Sequence, residues 1–232
     1  MLISHKHKLI TIDIPKTGTR TLRDTLRPTG TINLIGKPAS SDPMSFYQHT
    51  TIRSAKKKFA KWHLEDPSNW DIGDYYTMVR IRNPWRRYVS AFLWCMRMIQ
   101  FYFTELQKPL THSDRQSLSF RQGAQLSARL SRCGSEHEFL RSLIRAWPSQ
   151  DFYIFDGDKP YPYDLICKLE TLEIIGFPQF CKDVGIQPAP DLSWSNKSDY
   201  TKDYKQYLNQ ELIDYISKRE KWVIDHAGYQ LT

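Results

Sequence analysis

A short polar segment, residues 15–21, has the composition of an anion-binding loop. It reads PKTGTRT and lies between a β-branched run and a segment with helical character. Gly18 permits close backbone approach to a ligand, and the loop amides and the following helix N-terminus attract negative charge. Lys16 adds a mobile cation and the three threonines add hydroxyl donors. The GxxxxGK[ST] pattern of a Walker A loop is absent from the sequence, and alone the segment could also be a strand-to-helix turn with a threonine cap.

A second segment, residues 82–92, reads RNPWRRYVSAF and has a similar setting. Arg82 follows a predicted strand, and Pro84 suits the first position of a helix. Ligands of parallel α/β sheets bind outside the carboxyl ends of the strands, which is where Arg82 is expected. Ser90 falls two turns into the helix, so Ser90 and Arg82 could hold one phosphate from two sides. Alone, an arginine-rich helix start is more typical of a solvated face, but the two segments in this order favour a pair of anion sites.

The stretches PKTGTRTL and VRIRNPWRRYVSAF resemble the sulfotransferases that use 3′-phosphoadenosine 5′-phosphosulfate (PAPS), particularly the carbohydrate-type, sulfotransferase family 2-like branch. The resemblance implies that the first motif holds the 5′-phosphosulfate and that the second holds the 3′-phosphate. The implied donor-binding residues are Lys16, Thr17, Gly18, Thr19, Arg20, Thr21, Arg82 and Ser90. Weaker similarity extends through residues 168–172, 194–198 and 225–229, and about residues 104–150 show none.

The resemblance also implies a metal-free, in-line transfer of a sulfuryl group from PAPS to a hydroxyl, with an amine as the alternative acceptor. Lys16 is the expected catalytic cation, because negative charge develops beside it on the leaving phosphate. His49 precedes a basic helix as a histidine does in related enzymes, and an ordinary histidine pKa near ~6.5 suits proton abstraction. His63 with Glu65 is the alternative base, and His49 could equally be a surface or helix-capping residue.

The expected acceptor is a glycan or a small hydroxyl compound. A basic run at Arg53, residues 56–58 and Lys61 could bind an acidic glycan, although a solvated helix face explains it as well. Four tryptophans could line a sugar or aromatic acceptor site, or could simply pack in the core. They are Trp62, Trp70, Trp85 and Trp94.

The elements that must position these residues alternate between strand and helix. Apolar and β-branched runs predict strands at residues 8–14, 75–81, 151–155 and 165–169. Helices are predicted at residues 22–26, 51–61, 84–103, 172–184 and 202–226. This alternation predicts one α/β domain over residues 1–232, a P-loop-like three-layer fold with a central parallel sheet flanked by helices. Residues 108–135 are polar and weakly patterned, and about residues 104–150 are expected to form a variable, helical insertion.

The charge balance favours an anionic partner. The chain has 33 Lys and Arg against 25 Asp and Glu, a formal net charge of +8, which attracts nucleotides, acidic polysaccharides and nucleic acids alike. Nucleic acid is not expected as a partner, because no zinc finger or RNP-like stretch is present. Two rival interpretations remain: another nucleotide-dependent transferase of the P-loop kinase type, and a non-enzymatic basic protein that binds polyanions.

Cysteine usage and hydropathy bear on the compartment. Cys95, Cys133, Cys167 and Cys181 are scattered without a CxxC pair, so free thiols are expected rather than disulfides or a zinc site. No stretch reaches the ~20 apolar residues of a membrane span, and the N-terminus lacks the apolar run of a signal peptide. A cytoplasmic location is therefore expected, with a catalytic fragment of a Golgi-type membrane-anchored enzyme as the alternative.

Overall fold

Strands and helices alternate along the part of the chain that the computed structural model describes, residues 1–4, 7–26, 32–34, 50–65, 71–109, 111–192 and 203–231. The strands are β1 (Leu2–Ser4), β2 (Leu9–Ile12), β3 (Ile32–Leu34), β4 (Tyr76–Ile81), β5 (Phe155–Asp156), β6 (Lys159–Pro160) and β7 (Leu165–Lys168). The α-helices are α1 (Thr19–Leu26), α2 (Ile52–Glu65), α3 (Pro84–Leu106), α4 (His112–Gln116), α5 (Leu118–Leu130), α6 (Glu136–Ala146), α7 (Asp151–Ile154), α8 (Phe177–Asp183), α9 (Gln210–Arg219) and α10 (Lys221–Ala227). A π-helical turn, Leu172–Gly176, precedes α8.

The main sheet has the strand order β3-β1-β2-β4-β7. The neighbours β2, β4 and β7 are parallel, whereas β1 runs antiparallel to both β2 and β3. The predicted central parallel sheet flanked by helices is confirmed in this coarser, mostly parallel form. The sequence showed no sign of β1 and β3, because three-residue strands are too short to produce an alternating pattern.

Apolar side chains on the two faces of this sheet belong to separate cores. Leu9 and Met78 pack with residues of α1 and α8, whereas Ile10 and Val79 pack with residues of α2 and α10. Successive side chains along a strand alternate between faces, so each strand contributes to both cores. A strand buried on both faces has a nearly continuous apolar sequence, which is why β2 and β4 were predictable.

A third core lies between α3 and the helices of residues 104–150. The rings of Phe92 in α3 and Phe139 in α6 are 6.2 Å apart. Gly123 lets α5 approach α3 closely, since a Cβ at this position would fall 2.5 Å from the carbonyl oxygen of Met98. The 23-residue α3 thus connects the edge of the sheet to a separate helical layer. No helix in the described ranges is long and apolar enough to cross a membrane.

The predicted strand at residues 151–155 is wrong, because most of it is the helical turn α7. The amides of Tyr153 and Ile154 both donate to the carbonyl oxygen of Gln150, at 2.9 and 3.2 Å. Only Phe155 and Asp156 are extended, and they form a two-residue ribbon with β6. A short apolar run does not distinguish a strand from a buried helical turn.

The predicted helix over residues 202–226 is interrupted. A 3₁₀ turn covers Tyr204–Tyr207, and α9 and α10 are separated by Glu220, whose backbone has φ −110° and ψ 23°. The Glu220 side chain is fully buried and accepts a hydrogen bond from Arg87. The break therefore directs a carboxylate into the protein, towards the site described next.

Candidate active site

The loop between β2 and α1 has an unusual backbone conformation. Lys16 and Gly18 have φ angles of +68° and +74°, and this left-handed region costs a non-glycine residue about 1–2 kcal/mol. Thr17 is buried, and its hydroxyl donates to the carbonyl oxygen of Ile14 at 2.8 Å. The predicted strand–loop–helix order is therefore present, with the N-terminus of α1 directly after the loop.

Gly18 is expected to be required for this loop. A Gly18→Ala variant would combine a positive φ with a Cβ that lies 2.6 Å from Cδ1 of Leu169. We expect its affinity for adenosine 3′,5′-bisphosphate, measured by calorimetry, to fall about 5–30-fold, since the strain of roughly 1–2 kcal/mol acts on the predicted anion loop itself. Gly185→Ala is the matched control, with a φ of +70° and no atom within 4 Å of its Cβ. Equal bisphosphate affinities in the two variants would contradict this prediction.

The Lys16 ammonium lies among cations. Its Nζ is 5.9 Å from the centroid of the Trp94 ring. Burial, followed by the nearby charges of Arg82 and Arg97, lowers the pKa of Lys16 to about 8. Lys16 forms no ion pair with a carboxylate in the described ranges. A bound anion would relieve this repulsion and raise the pKa again.

Arg82 joins the two predicted anion motifs. Its Nη1 donates to the carbonyl oxygen of Lys16 at 3.0 Å. Gln150 fixes the Arg82 backbone, because its side chain accepts from the Arg82 amide and donates to the Arg82 carbonyl, both at 2.9 Å. Since β2 and β4 are adjacent parallel strands, their carboxyl ends bring Lys16 and Arg82 to the same edge of the sheet.

Beneath these loops lies a buried ion pair between Arg87 and Glu220, with Nη1 and Oε1 3.0 Å apart and both side chains fully buried. Arg87 also donates to the carbonyl oxygens of Pro15 at 3.1 Å and Pro148 at 2.9 Å. Glu220 accepts from the Tyr88 hydroxyl at 2.8 Å and from the Gln150 amide. Arg87 therefore links the start of the loop after β2 to the loop that precedes α7.

The N-terminus of α3 is held by residues distant in sequence. The Asn83 side chain accepts from the Arg86 amide at 3.1 Å and so caps the helix. The Asn83 amide donates to one oxygen of Glu170 at 2.9 Å, and the Tyr229 hydroxyl donates to the other at 2.8 Å. Glu170 and Tyr229 belong to the two later segments that resemble the family, residues 168–172 and 225–229, and here they meet beside Arg82.

The remaining predicted donor-binding residues lie on α1 and α3. Thr19 is the first residue of α1, and Thr21 is buried in its first turn. The Arg20 side chain is 69% exposed, and its Nε lies 3.5 Å from Oδ2 of Asp24. Ser90 is buried within α3.

The candidate bases and the segment of residues 194–198 lie wholly or partly outside the described residues. His49 and residues 194–198 lie outside the described residues. His63 and Glu65 belong to α2, but their side chains are outside the described part of the structure. In the described residues, no group of three or more His, Cys, Asp or Glu side chains could hold a metal ion.

Three of the candidate acceptor residues, Arg53, Lys56 and Trp85, have partners elsewhere in the protein. Arg53 and Lys56 both pair with Asp156, at 3.8 and 2.5 Å, which favours a structural role for these two charges over a glycan site. Trp85 is buried, and its indole nitrogen lies 3.5 Å from the carbonyl oxygen of Ile213. Trp94 is half-buried beside Lys16. Trp70 and the side chain of Trp62 lie outside the described part of the structure.

Two of the residues that hold the site were missed by the sequence analysis. No pattern marks Gln150, which lies in a loop before α7. Glu220 lies in the charged run SKREKW, where an acidic side chain normally faces solvent. A sequence signal for the helix break at Glu220 would have drawn attention to this residue, but no glycine or proline lies beside it.

Comparison with protein families agrees with this arrangement. The model of the sulfotransferase family matches residues 1–174. No match was found among curated proteins or among solved structures. The matched region contains both predicted anion motifs and the three parallel strands β2, β4 and β7. Because the match spans three quarters of the chain, this protein belongs to the sulfotransferase family.

Proposed function

We propose that this protein transfers the sulfuryl group of PAPS to a hydroxyl group of a carbohydrate. The observation that carries the proposal is the 3.0 Å hydrogen bond from Arg82 Nη1 to the Lys16 carbonyl oxygen. It joins two cationic loops at the carboxyl ends of adjacent parallel strands, where ligands of such sheets bind. PAPS carries anionic groups on both sides of its ribose, so two neighbouring cationic loops suit it.

The roles follow the two loops. Lys16 and the amides at the start of α1 would hold the 5′-phosphosulfate, and Arg82 with Ser90 would hold the 3′-phosphate. Thr17 would act through the loop backbone, because its hydroxyl proton is already donated to Ile14. The other proposed donor-binding residues of the first loop are Gly18, Thr19, Arg20 and Thr21.

When bound, PAPS supplies the sulfuryl group, and adenosine 3′,5′-bisphosphate is its leaving group. Lys16 keeps a proton on its ammonium and so stabilises the negative charge that develops on the leaving phosphate. Its half-buried position strengthens this interaction, since charges interact more strongly where water is excluded. Gln150 and Arg87 keep the two loops in place, which limits the reorganisation needed for an in-line reaction.

The acceptor proton needs a base, for which we propose His49, with His63 and Glu65 as the alternative pair. A neutral histidine can take a proton near pH 7. An exchange of His49 for alanine that left both donor affinity and turnover unchanged would exclude this assignment.

The first test is calorimetric titration with adenosine 3′,5′-bisphosphate. We expect the wild type to bind it and Arg82→Ala to bind about 10–100-fold more weakly, since a hydrogen bond to a charged group contributes about 1.5–3 kcal/mol. Arg145→Ala is the matched control, because it removes the same charge from an exposed position on α6. Its affinity should equal that of the wild type.

Two further ligands separate the rival functions. ATP should bind far more weakly than the bisphosphate, and equal affinities would favour a kinase-like transferase. Retention on heparin without any bisphosphate binding by the folded protein would favour a polyanion-binding role and would overturn the proposal.

A further inference from the structure

A third cation lies at the same edge of the sheet as Lys16 and Arg82. Lys168 is the last residue of β7, and the pairing of β7 with β4 places it opposite Ile81, the residue before Arg82. The carboxyl ends of the three adjacent parallel strands β2, β4 and β7 thus lead to Lys16, Arg82 and Lys168, respectively. These residues are widely separated in the chain, so their convergence is a property of the fold.

The Lys168 side chain is held by an aromatic ring. Its Nζ is 5.3 Å from the centroid of the Tyr229 ring, which is within the range of a cation–π contact. That ring is itself fixed, because the Tyr229 hydroxyl donates to Glu170 and Glu170 accepts from the Asn83 amide. Lys168 is therefore connected through Tyr229 and Glu170 to Asn83, the residue that immediately follows Arg82.

The charge of Lys168 is not neutralised within the described part of the molecule. Lys168 forms no ion pair with a carboxylate there, and both oxygens of nearby Glu170 accept other hydrogen bonds. A ring face orients an ammonium without cancelling its charge, which leaves it able to bind an anion. The arrangement differs from that of Arg53 and Lys56, which both pair with the carboxylate of Asp156.

We propose that Lys168 is a further binding residue for the donor: together with Arg82 it brackets the phosphate monoester on the ribose, and Tyr229 holds it in position. The proposal rests on the function proposed above, since it needs a nucleotide with a second phosphate. According to the proposal, Lys168 makes the protein prefer a nucleotide with a phosphate on the ribose over one that carries only a 5′-phosphate.

The test compares two ligands on four proteins. Affinities for adenosine 3′,5′-bisphosphate and for adenosine 5′-monophosphate are measured by calorimetry on the wild type, Lys168→Met, Lys168→Arg and Lys182→Met. The last variant removes an equivalent charge from α8, where the neighbouring Asp183 accepts a hydrogen bond from Tyr76 at the amino end of β4. It therefore lies at the opposite edge of the sheet. Thermal unfolding of each variant checks the fold.

We expect Lys168→Met to lose about 10–100-fold in affinity for the bisphosphate and less than about threefold for the monophosphate. Lys168→Arg should recover most of the loss, and Lys182→Met should match the wild type. A Lys168→Met protein that weakens both ligands equally, or neither, would overturn the role of Lys168 while leaving the proposed function standing. A wild type with no preference for the bisphosphate would overturn both.

Discussion

Replacing Lys16 with methionine is expected to lower kcat by about 10²–10³-fold. This is the usual effect of removing one hydrogen-bond donor that stabilises transition-state charge. The structure supports a loss of this size, because Lys16 is half-buried near other cations. An anion bound at such a position interacts strongly with the ammonium group. Methionine keeps the length of the side chain and leaves the φ of +68° unchanged, so the loop should survive. The measurement is turnover of labelled PAPS at saturating acceptor.

The pH dependence of donor binding should report on the same side chain. Lys16 attracts the donor only while protonated, and its pKa in the free protein is lowered to about 8. Affinity should therefore decline as the pH rises through about 8, and binding near that pH should take up protons. The Cys95 thiol does not interfere, because burial raises its pKa to about 12.

Lys16→Arg is the control for the pH effect. Arginine keeps its charge throughout this range, so its donor affinity should not decline between pH 7 and pH 9. Calorimetry in buffers of different ionisation enthalpy measures the proton uptake, which Lys16→Met should abolish. A wild type whose affinity stays flat across pH 8, or a methionine variant with normal turnover, would show that Lys16 does not contact the leaving group.

Replacing Arg87 with methionine is expected to destabilise the protein by about 3–5 kcal/mol, because Glu220 would remain as a buried charge without its partner. The loss should be visible as a lower urea midpoint. The affinity for PAPS should fall as well, because the Pro15 carbonyl oxygen at the start of the predicted anion loop would lose its hydrogen bond from Arg87. Lys221→Met, which breaks an exposed pair with Asp225, is the control and should cost less than about 1 kcal/mol.

The double variant Arg87→Met/Glu220→Gln separates the buried charge from the lost contacts. Glutamine removes the charge and can still accept from Tyr88 and the Gln150 amide, which now donate to Glu220. We therefore expect the double variant to be more stable than Arg87→Met alone, although still weak in donor binding. Simple addition of the two single losses would show that the pair is not coupled.

Local features explain what could be predicted from the sequence. The strand, loop and helix around Lys16 lie within residues 9–26, and those around Arg82 are equally contiguous. Both can be inferred from apolar runs and one proline each, and the first also from Gly18. Their placement side by side also follows, because parallel strands present their carboxyl ends at one edge.

Features that depend on distant contacts could not be predicted. Gln150 and Glu220 reach the site from 68 and 133 residues beyond Arg82 and Arg87, and neither carries a local pattern. Residues 151–155 were predicted as a strand because a short apolar run does not distinguish a strand from a buried helical turn. The roles of Lys168 and Tyr229 arise only when β7 lies beside β4 and α10 ends nearby.

Residues 220–230 hold the site although they follow both anion loops in the chain, and they lie beyond the 174 residues matched by the family model. During synthesis, proteins emerge and fold from the N-terminus onwards. A nascent chain with residues 220–230 still inside the ribosome would expose both loops without the carboxylate that holds Arg87 or the phenol that holds Lys168. Donor capture should therefore be acquired only after residues 220–230 have emerged.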